Sequence, residues 1–268
     1  MTTREKYTHG HHESVLRTHG WRTAENSAPH LLPHLAPGLS LLDVGSGPGT
    51  MTVDFAQRVA PARVVGVDAS ADVVEKAAAH ASDRGVSNIE FIVGDAYHLP
   101  FSDGEFDVVH THQTLQHVSD PVAVLREMRR VRANDGLVAA REVDYPAVFW
   151  HPESPGLEKW YATYDAVHRG NGGEPAAGRH LKGWALDAGF TEVLAGASVW
   201  HFSTDAEREW WGGAWADRAL HSEFAKGAIE QGHATSDDLA DVSAAWREWA
   251  ANPRSSLFMP HGEILARG

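Results

Sequence analysis

The chain contains no cysteine. That excludes disulfides, a thiolate nucleophile and any cysteine-ligated metal site. Long apolar runs are also missing: nothing approaches the ~20 residues that a membrane-spanning helix needs. The first residues, Met1-Thr2-Thr3-Arg4-Glu5-Lys6, lack the apolar stretch of a secretion signal. Cytoplasm is therefore the expected compartment, and no membrane partner is expected. Basic residues are scarce, 23 Lys and Arg against 36 Asp and Glu, for a net charge of −13. A nucleic-acid surface needs clustered cations to meet phosphates, so no nucleic-acid partner is expected either. With 268 residues, 43% of them hydrophobic, the chain can bury one sizeable core, alone or with a small cap.

What is present centres on Leu41-Leu42-Asp43-Val44-Gly45-Ser46-Gly47-Pro48-Gly49-Thr50. Leu41, Leu42 and Val44 read as a buried strand. The glycines read as a sharp turn whose backbone can approach a ligand, and Thr50 onward as a helix whose free N–H groups face that turn. Such a turn alone would also suit a nicotinamide dehydrogenase. Asp43 alters the balance, because an acid just before the first glycine repels a pyrophosphate and favours an ammonium-type group. A second strand, Val64 to Val67, ends in Asp68, about 20 residues past the glycines, where a carboxylate accepts from ribose hydroxyls. A third, Ile89 to Val93, runs into Gly94-Asp95-Ala96. Acids at three successive strand ends suit a ligand with a positive centre, a ribose and an adenine, and S-adenosylmethionine (SAM) combines all three.

These segments, together with Gly94 to Phe101 and Phe106-Asp107-Val108-Val109, resemble the class I SAM-dependent methyltransferases. The likeness is greatest to the small-molecule branch related to ubiquinone and menaquinone C-methyltransferases. It implies an α/β fold, a Rossmann-like seven-stranded sheet of order 3-2-1-4-5-7-6 with the last strand antiparallel. It also implies that Gly45, Ser46, Gly47, Asp68, Ala69, Asp95 and Ala96 hold SAM, with S-adenosylhomocysteine as product. In that arrangement the Asp95 carboxylate takes the adenine amino group and the Ala96 N–H a ring nitrogen. N-terminal helices of such enzymes close over the cofactor, which makes Tyr7, His12, Trp21 and Arg22 candidates for contact. Arg22 offers a guanidinium fork for the methionine carboxylate. The missing cysteines count against the thiol-dependent arsenic methyltransferases.

Phe106 to Thr111 reads as a fourth strand. His112 and Gln113 follow at its carboxyl end, where ligands of open α/β sheets sit. Both are therefore cofactor candidates at the point where sulfonium and acceptor meet, and His112 is the first candidate base. Enzymes methylating exocyclic amino groups of nucleic-acid bases carry Asn-Pro-Pro-Tyr or Asp-Pro-Pro-Tyr here; this chain has Thr111-His112-Gln113-Thr114. Asp120-Pro121 starts a helix. Its Arg126, Arg129 and Arg130, with Arg132 beyond, read as solvated charge. Asn134-Asp135-Gly136 reads as a turn into a fifth strand, Leu137 to Ala140, that ends in Arg141-Glu142-Val143-Asp144-Tyr145. Asp144 is the second acid–base candidate, with an ion pair as the equal alternative. His9, His11, His12 and His19 crowd the N-terminus without an acidic cluster, so no metal is expected.

Nine of the ten tryptophans lie from Trp150 onward. Leu157, Trp160, Tyr161, Tyr164 and Val167 keep helical spacing. Thr204-x-x-Glu207 and Thr235-x-x-Asp238 are capping boxes that open two further helices. The expected division is an N-terminal helical cover (1–40), a SAM-binding core (41–150) and a remainder (151–268) that carries a helical substrate lid at about 151–172 and 203–252. The seventh strand falls at Ser256 to Met259 or at Glu263 to Leu265. The resulting expectation is transfer of the SAM methyl group to a small, apolar or aromatic organic acceptor, by a monomer or a homodimer. A nicotinamide-dependent oxidoreductase and a non-catalytic SAM-binding protein are the alternatives.

Overall fold

The computed structural model describes residues 20–268, so Tyr7, His9, His11, His12 and His19 lie outside the described residues. The chain enters through a four-residue helix, α1 (Ala24–Ser27), capped by Thr23. β1 (Leu41–Val44) is buried along its length and leads through the glycine turn into α2 (Thr50–Val59). β2 (Val64–Asp68), α3 (Ala71–Asp83), β3 (Ile89–Val93) and β4 (Phe106–His112) follow. Asp120 accepts from the Ala123 N–H at 2.9 Å and Pro121 takes the first position of α4 (Pro121–Val131). After β5 (Arg132–Val143) come the short β6 (Phe149–His151), α5 (Pro155–Gly170), α6 (Ala177–Asp187) and β7 (Glu192–Phe202). Three helices, α7 (Asp205–His221), α8 (Glu223–Glu230) and α9 (Ser236–Ala251), precede β8 (Ser256–Arg267). Both capping boxes form with reciprocal bonds, at Thr204/Glu207 and at Thr235/Asp238.

Among the described residues eight strands make one sheet in the order β3-β2-β1-β4-β5-β8-β6, with β7 also paired to β8. β1 to β5 run parallel, while β8 is antiparallel to β5, β6 and β7. This is the expected methyltransferase order, with β7 as its sixth strand, β8 as its antiparallel seventh and β6 added. The two stretches that competed for the seventh strand are halves of β8. Residues 261–266 pair with β5 and residues 257–267 with β7.

Two corrections follow from the strands. Asn134-Asp135-Gly136 lies inside β5, because the register with β4 shifts between Phe106 and Val108 and absorbs the extra residues as a bulge. Arg132 is buried at 8% exposure, its guanidinium donating to the carbonyls of Asn134, Gly136 and Gly268, so it is not solvated charge. Apolar clusters cover both faces of the sheet. One joins Leu42, Val109 and Val138 to Met128 and Leu181, and the other joins Leu41, Val64 and Val108 to Phe55 and Leu31. A third cluster holds α5 and α7–α9 together around Trp160, Trp215 and Trp246, each fully buried. At the sheet, α6 and β8 touch through backbone: a Cβ on Gly262 would lie 1.9 Å from the Gly178 carbonyl oxygen.

Candidate functional site

The carboxyl ends of β1, β2, β3 and β4 surround one cavity of about 1010 Å³. Gly45, Ser46, Gly47, Asp68, Ala69, Asp95, Ala96, Arg22, His112 and Gln113, each expected from the sequence, all line it. Gly45 and Gly47 take left-handed backbone, φ 72° and 56°, which lets Gly45 and Ser46 both donate to the Val67 carbonyl at 2.8 and 3.0 Å. No atom stands within 4 Å of a Cβ on Gly47, so the turn leaves open space there. The Ser46 hydroxyl is buried without a partner among the described residues. Asp68 holds the turn by accepting from the Gly47 N–H and the Ser70 N–H, both at 3.0 Å, with lone pairs to spare for ribose hydroxyls. Asp95 accepts from the Tyr97 N–H at 2.9 Å, so it caps its own turn while lining the cavity. An orphaned hydroxyl, an open glycine cradle and an exposed-edge carboxylate fit a nucleoside cofactor at this end.

Asp43, buried, receives the Thr52 hydroxyl at 2.6 Å and lies 2.8 Å from His110 Nδ1. It supplies a negative charge under the turn, already held in place by both neighbours.

At the other end, Gln113 is the one non-glycine described residue with positive φ, 52°. Its Oε1 accepts from Arg22 at 2.6 Å and its amide nitrogen lies 2.8 Å from His261 Nε2. His261 Nδ1 sits 2.8 Å from the Met259 carbonyl, which makes Nδ1 the donor and Nε2 the acceptor. Beside this chain, Arg141 is fully buried. Its Nη1 is 2.9 Å from His112 Nε2, and its Nε reaches Ser198 Oγ at 2.9 Å and Glu263 Oε1 at 3.2 Å. The Trp200 ring lies 4.8 Å from its guanidinium. Burial brings Arg141 down to about 9, against the pull of Glu263. Burial first, then Arg22 and Arg141, holds His112 well below the ordinary imidazole range. His261 is lowered in the same way. Glu142 turns from the cavity into the β4 loop and accepts the N–H groups of Thr114 and Leu115 at 2.8 and 2.7 Å. Burial outweighs those bonds and pushes it up to about 8.

The structure does not bring Asp144 to this cavity. Arg179 grips it with two bonds of 2.7 Å, the ion pair that was its alternative reading. Tyr7 lies outside the described residues. The late tryptophans do not line the cavity either: Trp160, Trp211, Trp215, Trp246 and Trp249 fill the core of the helical cluster. Sequence reasoning missed His261 and the Arg141–Glu263 pair. His261 and Glu263 come from β8, more than a hundred residues after β4, and no local pattern signals that.

A family model described as a methyltransferase domain matches residues 35–183, more than half of the chain. An uncharacterised methyltransferase of Schizosaccharomyces pombe is 33% identical over 97% of this chain and 95% of its own length. A demethylmenaquinone methyltransferase of Lactococcus lactis is 38% identical over 41% of this chain and 44% of its own. Among solved structures, a Haemonchus contortus phosphoethanolamine N-methyltransferase in complex with S-adenosylhomocysteine superposes with a TM-score of 0.54. That match covers 89% of this chain and 52% of the other, at 16% identity, and so speaks for the fold alone.

Proposed function

The chain belongs to the SAM-dependent methyltransferase family, and from that premise we propose that it methylates a small organic acceptor with an apolar or ring-bearing body. Family membership sets aside both the nicotinamide oxidoreductase and the idle SAM-binding protein. When bound, SAM supplies a methyl carbon whose bond to the positive sulfur breaks as the acceptor's electron pair arrives, leaving a neutral thioether. Everything else falls to the chain. Gly45, Ser46 and Gly47 offer backbone and hydroxyl to the amino-acid end. Asp68 takes the ribose, and Asp95, with the Ala69 and Ala96 backbone, flanks the adenine. Arg22 takes the carboxylate.

The observation that carries the acceptor reading is continuity. One cavity joins the cofactor residues to a wall of Tyr97, His112, His117 and Val118, apolar and ring-bearing, with room beyond a nucleoside. Holding the acceptor in line there is worth several kcal/mol of barrier without any covalent help. We assign 41–150 as the cofactor half, and the helices within 151–172 and 203–252 as a rigid body with its own tryptophan core beside it. No helix among the described residues is long and apolar enough to cross a membrane. Incubation with methyl-labelled SAM and a panel of naphthols, hydroxyquinones, indoles and alkylamines tests the reading. Label is expected in a solvent-extractable aromatic product. Transfer only to polar, non-aromatic acceptors would contradict it.

A further inference from the structure

Among the described residues, the wall of Tyr97, His112, His117 and Val118 contains no carboxylate. Its centre is His112. A guanidinium has donors only, so the 2.9 Å contact from Arg141 Nη1 obliges His112 Nε2 to accept. Arg141 cannot turn away, because Ser198, Glu263 and the Trp200 ring fix it in a fully buried position. The His112 ring is 6% exposed. Two arginines and burial keep it neutral, so its one proton resides on Nδ1. That nitrogen has no partner among the described residues and is not sealed off, while the ring lines the cavity.

The nearby carboxylates are committed elsewhere: Glu142 to the Thr114 and Leu115 N–H groups, Glu263 to Arg141 and Ser198, Asp144 to Arg179, and Asp43 to Thr52 and His110. Gln113 is held at both ends, its Oε1 receiving Arg22 and its amide facing His261. Among the described residues, an ammonium acceptor, which must lose a proton to become a nucleophile, meets no carboxylate beside His112 that is without other partners. An oxyanion finds a donor.

We propose that His112 donates its Nδ1–H to an oxygen anion, and that the acceptor is a phenol or an enolisable dicarbonyl bound in its deprotonated form. This rests on the methyl-transfer reading above. It replaces His112 as base with His112 as donor. The charges balance: the acceptor leaves its proton in solvent before binding, and the lone pair of its oxygen, or of the enolate carbon, forms the new bond to carbon. The electron pair of the broken S–C bond goes to sulfur, and one negative and one positive charge are lost together.

Nitrogen-15 NMR of histidine-labelled protein, with the His112 signal assigned by its loss in His112→Asn, reads the tautomer with no substrate present. A proton on Nδ1 alone is the expected result; a proton on Nε2, or on both nitrogens, overturns the proposal. The second measurement titrates 4-nitrophenol into the S-adenosylhomocysteine complex and follows the colour of its anion. At fixed pH the bound fraction of anion should exceed that in free solution. His112→Asn, whose amide N–H replaces Nδ1–H, should keep affinity within about threefold, and His112→Leu should lose about 10- to 100-fold. No binding, binding as the neutral phenol, equal affinity in the Leu variant, or equal affinity for 4-nitroaniline would each overturn it. Calorimetry with SAM keeps the premise separate: its failure would remove the methyl-transfer reading, whereas the tautomer result stands or falls alone.

Discussion

Glu142 concentrates the conflict between burial and hydrogen bonding at a single residue. Its Oε1 takes both short bonds, from Thr114 and Leu115, and its other oxygen meets only Gln116, at 3.4 Å. A carboxyl that ionises near 4.5 when unfolded and about 8 when folded holds an extra proton in the native state between those values. Stability therefore falls as pH rises through that window, by on the order of 5 kcal/mol if the whole shift is expressed. Glu142→Gln keeps the accepting Oε1 and abolishes the titration. Thermal melts from pH 5 to pH 8 should show a declining Tm in the wild type and a much flatter one in the variant. Parallel declines would mean that another group is responsible. Little of this was legible beforehand: the sequence places Arg141 and Glu142 side by side at a strand end, but only the fold shows that Glu142 cradles a loop and Arg141 pins His112.

At the scale of elements, caps and punctuation were the most legible features. Asp120-Pro121, Thr204-x-x-Glu207 and Thr235-x-x-Asp238 each start a helix where the sequence places one, because these signals act within a single turn of backbone. The β5 bulge was not legible, since Asn-Asp-Gly forms a tight turn by local preference and only the flanking pairs with β4, at Arg132 and Leu137, draw it into a strand. The tryptophan-rich helices were legible as helices, and most of their tryptophans pack into one core. Trp160 meets Trp215 and Trp246 edge-on, at 4.8 and 4.9 Å, and the indole N–H groups of Trp160 and Trp246 are buried without a conventional partner among the described residues. Such edge-on geometry lets N–H groups face neighbouring rings. Trp160→Ala should cost about 3–5 kcal/mol, read as a lower urea midpoint, while affinity for S-adenosylhomocysteine in the folded variant stays unchanged. Loss of that affinity at unchanged stability would place Trp160 in the ligand site instead.

Over the whole molecule, the strand order came with the family resemblance, and the position of the cavity followed from a handful of residues. Glycines after β1 and acids after β2 and β3 are local marks of a ligand held at strand ends, and they converge because parallel strands point the same way. The acceptor side draws on β4, β5, β7 and β8 at once, so its polar network appears only when the sheet is assembled. A ligand bound across four strand ends should stabilise the fold as a unit. S-adenosylhomocysteine at a hundred times its Kd adds about 2.7 kcal/mol, a Tm rise of roughly 5–10 °C for a chain of this size. A rise confined to one of two separate transitions would show instead that the sheet and the helical cluster melt independently.

The central claim is that SAM occupies the cavity at the carboxyl ends of β1 to β4 with Asp68 on its ribose. Calorimetric titration of SAM and S-adenosylhomocysteine into the wild type and Asp68→Ala tests it most directly. The account predicts binding of both ligands by the wild type and a loss of about 10- to 100-fold in the variant, the worth of charge-assisted hydrogen bonds. Undiminished affinity in Asp68→Ala would contradict it.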